Sequence, residues 1–216
     1  MTSFALVLVT LAGVPDAQRE NAAARLLSAA RRYILSALGP ICVSAAHFIA
    51  ALIFLHTLPR AAFGQFSFLL VVAPFCLSLC GALLATPVAR DAMRPDGILD
   101  SQRNTLFKAN AAFALLAMSA VGLLMSFGGA NASLSVVFGL NGGAMSARWF
   151  ARYWTYAEMR PARVLASDFC YSVLLTGGLF ALLALHRLTM WSSAFALLVS
   201  AIAGLAAFDQ IGRAHV

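Results

Sequence analysis

Residues 56–91 read HTLPRAAFGQFSFLLVVAPFCLSLCGALLATPVARD, and this stretch decides the fold class. It opens on a break, Thr57-Leu58-Pro59-Arg60, that favours a turn. A Phe-Gly-Gln-Phe step at Phe63 to Phe66 follows, then an apolar run to Val88 that closes on Arg90 and Asp91. No charged side chain stands between Arg60 and Arg90. About 20 apolar residues of helix cross the hydrocarbon core of a bilayer, so the run is long enough to span it. The rest of the chain repeats the plan: apolar run, short break, apolar run, charged break.

Composition agrees with that reading. The chain is 62% hydrophobic and 11% charged, with a mean hydropathy of +0.86. A soluble domain carries about 25% charged residues. A β-barrel needs short alternating segments, whereas these runs are continuous. The sequence therefore predicts an all-α polytopic membrane protein. The net charge of +7 does not point to nucleic acid, because the basic residues sit in the gaps between runs. The four cysteines, Cys42, Cys76, Cys80 and Cys170, all lie inside apolar runs and read as packing residues.

Three regions are expected. Residues 1–32 form a cytoplasmic or interfacial segment, with residues 4–14 apolar but too short to span and residues 21–32 suited to a surface helix. Residues 33–208 form six transmembrane helices, at about 33–55, 66–88, 109–127, 133–153, 164–185 and 191–208. Pro40 and Pro74 fall inside the first and second, and Asn141-Gly142-Gly143 interrupts the fourth. Residues 209–216 read as a truncation end. Ile-Gly-Arg-Ala-His-Val at 211–216 is the translation of ATC GGA AGA GCA CAC GTC, the start of a widely used sequencing-library adapter.

The distribution of positive charge sets an orientation. The N-terminal segment carries Arg19, Arg25, Arg31 and Arg32. The break after the second run carries Arg90, Arg94, Arg103 and Lys108, and the region after the fourth carries Arg148, Arg152, Arg160 and Arg163. The other breaks hold only Arg60 and Arg187. Basic residues mark cytoplasmic loops, so the N-terminus is expected in the cytoplasm.

Several stretches together resemble one family. They are the surface helix, the Pro-Arg-Ala-Ala-Phe-Gly-Gln-Phe step into the second run and the Ala-Thr-Pro-Val-Ala-Arg-Asp exit at Ala85 to Asp91. Arg-Trp-Phe-Ala-Arg-Tyr-Trp-Thr-Tyr-Ala-Glu-Met-Arg-Pro-Ala-Arg, from Arg148 to Arg163, is the last. The chain resembles the polysaccharide flippases (lipopolysaccharide or exopolysaccharide biosynthesis transporters) of the multidrug/oligosaccharidyl-lipid/polysaccharide exporter superfamily, over about residues 24–208. The resemblance implies one lobe of a two-lobed transporter in the bacterial cytoplasmic (inner) membrane. It implies alternating access, a lipid-linked oligosaccharide as substrate, membrane lipids as surroundings and a missing C-terminal lobe of the same chain as partner. The alternatives are a drug/cation antiporter of the same superfamily and a non-transporting membrane subunit of surface-glycan assembly.

Within that reading, Arg90, Arg148 and Arg152 are either cations for a diphosphate headgroup or topology anchors, the anchor role being the plainer one. Arg148 and Arg152 are four apart and share a helix face. His47, deep in the first run, is either an ion-coupling residue or a neutral hydrogen-bonding side chain between helices. Asp168 either pairs with Arg163 or Arg152 near a helix end, or binds a coupling cation. Asn141-Gly142-Gly143 is either a cavity-lining discontinuity or a close-packing site. Trp149, Tyr153, Trp154 and Tyr156 are expected in the interfacial belt. No enzyme constellation, metal-ligand cluster or cofactor motif is apparent among the eight carboxylates and four histidines.

Overall fold

Ala, Leu and Arg fill the segment ahead of the first apolar run, and nothing there breaks a helix. In the computed structural model, which describes residues 16–93 and 98–213, helix α1 therefore runs unbroken over Asp16–Thr57. At 1.5 Å per residue its 42 residues extend about 63 Å, roughly twice the hydrocarbon thickness. The expected surface helix is thus the N-terminal extension of the first apolar helix, and Pro40 lies inside it without ending it. Residues 1–15, with the short apolar stretch at 4–14, lie outside the described residues, as do 94–97 and 214–216. Side chains are described over 25–93 and 98–208.

The chain turns at Leu58-Pro59. Pro59 (φ −57°, ψ 149°) caps α2, Arg60–Cys80, and Pro74 is carried inside that helix. A π-helical turn over Gly81–Ala85 leads into α3, Thr86–Ala92. Pro87 has no N–H to donate to the preceding turn, and the irregular backbone ends just before it.

Helix α4, Asp100–Phe127, ends in a tight turn where Gly129 takes φ +85°, a left-handed value suited to glycine. Asn131 then caps α5, Ala132–Ala157, its side chain accepting the Leu134 N–H at 2.8 Å. Pro161 opens α6, Pro161–Ala184, at a first-turn position where its missing N–H costs nothing. The last helix, α7, is Met190–Arg213, and it reaches into the expected adapter-derived residues.

Helices neighbouring in space do not simply follow the chain. The closest packing is α4 on α5, α1 on α6, α6 on α7 and α5 on α7, while α1 and α2 touch sparingly. One core cluster gathers Phe54, Phe66, Val121, Phe138, Tyr171 and Leu175. A second joins Cys80, Leu84, Val88, Leu106 and Phe150. Large apolar residues such as Val71, Phe75, Leu116, Leu123 and Phe180 face outward, an arrangement that only an apolar surrounding stabilises.

Five helical stretches are long and apolar enough to cross a membrane: Arg25–Thr57, Arg60–Ala92, Asp100–Phe127, Pro161–Ala184 and Met190–Phe208. The described residues form no strand. This is the arrangement of an all-helical, multi-pass membrane protein. Helix α5, the expected fourth span, is not among the five. Its middle carries Asn141, Gly142, Gly143, Ser146 and Arg148, and many of its residues from Leu134 to Thr155 are buried, although Val136 and Leu140 face outward. Asn141-Gly142-Gly143 does not interrupt it. A side chain at Gly142 would come within 2.8 Å of Val121, and one at Gly139 within 2.7 Å of the Met118 carbonyl. These positions let α5 approach α4 closely, which settles the packing reading over the discontinuity.

Candidate functional site

Helices α5 and α6 follow one another through a short turn, and the long arginine side chains of α5 reach across to α6. Arg148 and Arg152 stand one turn apart on α5, and Asp168 is two turns into α6. The three meet inside the bundle. Arg148 Nη2 donates to Asp168 Oδ1 at 2.6 Å, and Arg152 Nη1 lies 3.1 Å from Oδ1 and 3.0 Å from Oδ2. The side chains of Arg148 and Asp168 have no exposed surface, and that of Arg152 has 6%. Two guanidiniums against one carboxylate leave one positive charge in excess, and Arg148 Nε and Nη1 have no hydrogen-bond partner.

Small residues make room for this cluster. A methyl group at Gly39 of α1 would overlap the Asp168 carboxylate, and one at Gly204 of α7 would sit 2.7 Å from Arg148 Nε. The Ser167 hydroxyl ties α6 to the Gly204 carbonyl at 2.6 Å. Four helices therefore close around the charges.

From Arg148 a line of contacts leads across α6 to α1. The guanidinium lies 4.4 Å over the ring centroid of Tyr171, and the Tyr171 hydroxyl is 2.6 Å from His47 Nε2. On the other side Arg152 lies 4.2 Å over the Trp149 ring. His47, Tyr171 and Trp149 also line a cavity of about 420 Å³ between α1 and α2, floored by α5. Ser44, Ser78, Asn141 and Tyr153 complete its polar wall, and Phe66, Leu69 and Leu70 form part of its apolar one. Asn141 is 4% exposed and its Oδ1 has no partner, which leaves an acceptor available at the cavity wall.

The expected site residues separate into three groups. Arg148, Arg152 and Asp168 come together, although Asp168 pairs with Arg148 as well as Arg152, not with Arg163, and does so away from water. An anchor presents its charge to the headgroups; Arg148 does not, lying about 14 Å inside the end of α5. His47 makes the hydrogen bond between helices that one of its two readings requires, and it also faces the cavity. Arg90 stands apart, with 71% of its side chain exposed, 3.4 Å from the carboxylate of Asp91.

The aromatic residues Trp149, Tyr153, Trp154 and Tyr156 are all half-buried. Trp154 packs on Phe107 and Phe150, and the Tyr156 hydroxyl donates to the Ser36 carbonyl at 3.2 Å. Tyr171 escaped the sequence reading. Its signal was available in the polar run Ser167, Asp168, Tyr171, Ser172, all buried at helical spacing on one face of α6.

Fold and site define a multi-pass helical membrane protein with a buried ionic cluster beside a cavity between its helices. Comparison with protein-family models, with curated proteins and with solved structures returns no match.

Proposed function

We propose that this chain is the N-terminal lobe of a two-lobed flippase that carries a polyprenyl-diphosphate-linked oligosaccharide across the bacterial cytoplasmic membrane. In this reading α5 crosses the membrane with the five apolar helices, giving six spans with the N-terminus in the cytoplasm. Arg31, Arg32, Arg160 and Arg163 share one groove, so basic residues from separate breaks gather at one end of the bundle, as the orientation requires.

The observation that carries the proposal is the cavity between α1 and α2 backed by an excess positive charge. Charged groups inside a membrane bundle are costly and mark transport pathways. The unbalanced charge of Arg148 and Arg152 attracts a diphosphate, and Asn141, Trp149 and Tyr153 supply polar and aromatic surface for sugars. Arg90 emerges at the end of the bundle where Val88 packs with Phe150 and Trp154, a position for first contact with the headgroup. His47, held by Tyr171, is the candidate for proton coupling. Asp168 is occupied by two arginines, which favours the flippase over a drug/cation antiporter that needs a free carboxylate.

Sequencing the genomic DNA past the codon for Gln210 tests the two-lobed form. The proposal expects the frame to continue through at least six further apolar runs, with glycosyltransferase genes alongside. A stop codon directly after Val216 contradicts it and favours a membrane subunit of glycan assembly.

A further inference from the structure

A second concave site lies away from the cavity and shares no residue with it. It is an open groove of about 660 Å³ between the N-terminal part of α1 and the turn from α5 into α6. Four arginines line it: Arg31 and Arg32 from α1, Arg160 and Arg163 from the turn and the first turn of α6. Among the described residues, Glu158 is the carboxylate paired with any of them, 3.9 Å from Arg160, so the groove holds a clear excess of positive charge. Leu35, Met159 and Pro161 add an apolar flank to the same groove, and Met159 is 67% exposed.

We propose that this groove binds the phosphate headgroup of an anionic phospholipid. Guanidinium groups match phosphate oxygens in charge and in planar geometry. The volume lies in the range that takes a ligand of headgroup size, about 300–1,000 Å³. In the proposed orientation this groove lies at the cytoplasmic end of the helices and faces the leaflet where acidic lipids concentrate. Leu35 and the exposed Met159 give the acyl chains an apolar surface to follow. A soluble phosphate has no use for that apolar flank, which is why a lipid is the occupant assigned. The lipid holds the long α1 extension against the start of α6 and fixes the spacing of the two elements.

The test is native mass spectrometry of the whole chain released from micelles containing phosphatidylglycerol or phosphatidylcholine, with and without inorganic phosphate. The expected result is retention of phosphatidylglycerol at least fivefold above phosphatidylcholine, with little loss in millimolar phosphate. Arg31→Gln with Arg32→Gln, and separately Arg160→Gln with Arg163→Gln, each bring retention down to the phosphatidylcholine level. Arg187→Gln, on a different break, leaves it unchanged and controls for overall charge. Equal retention of the two lipids, or unchanged retention in both double variants, overturns the proposal. Complete displacement by phosphate also overturns it, in favour of a free-anion site. None of these readouts depends on transport, so the inference stands or falls separately from the proposed function.

Discussion

Arg148 and Asp168 form an ion pair with no exposed surface on either side chain, Nη2 standing 2.6 Å from Oδ1. Arg152 shares the same carboxylate, so one acidic group holds two basic ones. The members of the cluster are therefore unequal, and the stability of variants should follow that inequality.

Asp168→Asn leaves two buried guanidiniums with no opposing charge, and breaking a buried pair in this way costs about 3–5 kcal/mol. Arg148→Met leaves Arg152 and Asp168 as a balanced pair and should cost less, about 1–3 kcal/mol. Melting of the purified protein in detergent gives the order. A smaller loss for Asp168→Asn than for Arg148→Met would show that the aspartate does not organise the cluster.

Glycines provide a matched comparison. Gly39→Ala and Gly204→Ala push a methyl group into Asp168 and Arg148, and overpacking of this kind costs about 1–3 kcal/mol. Gly177 and Gly178 meet nothing within 4 Å, so alanine there should be neutral or stabilise by up to about 1 kcal/mol. The same melting series checks both pairs, and equal effects at all four sites would refute the close approach.

Tyr171→Phe removes the hydroxyl that bonds to His47. Hydrogen bonds between membrane helices average about 0.6 kcal/mol, so the melting temperature should fall only slightly. In the complete transporter, His47→Gln should abolish the response of transport to a proton gradient, while Tyr171→Phe keeps it. A gradient response intact in His47→Gln removes His47 from the coupling role.

Orientation can be read with single cysteines in a background from which the four native ones are removed. His186→Cys, between α6 and α7, should react with a membrane-impermeant maleimide in intact cells. Ser101→Cys, at the start of α4, should react only after permeabilisation. The reverse pattern would invert the topology proposed from the arginines.

The sequence made the helices legible because an uncharged apolar run longer than a bilayer has one stable answer. The break at Pro59 and the long apolar helix over Arg60–Ala92 were visible for that reason. Partner choice between helices was not. Whether Asp168 meets Arg148 or Arg152 depends on how α5 and α6 rotate about their axes, which spacing alone does not decide, and Arg163, five residues earlier, falls on another face once α6 begins at Pro161. Asn141-Gly142-Gly143 likewise suits a break or a tight contact, and only the approach of Val121 and Ala117 on α4 distinguishes them. The roles of Gly39 and Gly204 follow from neighbours far away in the chain, so no local pattern could have marked them.

The most direct measurement of the central claim is translocation of a fluorescent polyprenyl-diphosphate-linked oligosaccharide in vesicles. The complete reading frame is reconstituted beside the present chain and protein-free vesicles. The account predicts flipping by the complete protein well above the protein-free rate, and none by the present chain, because one lobe has no closed cavity. Equal rates for the complete protein and for empty vesicles would contradict the account.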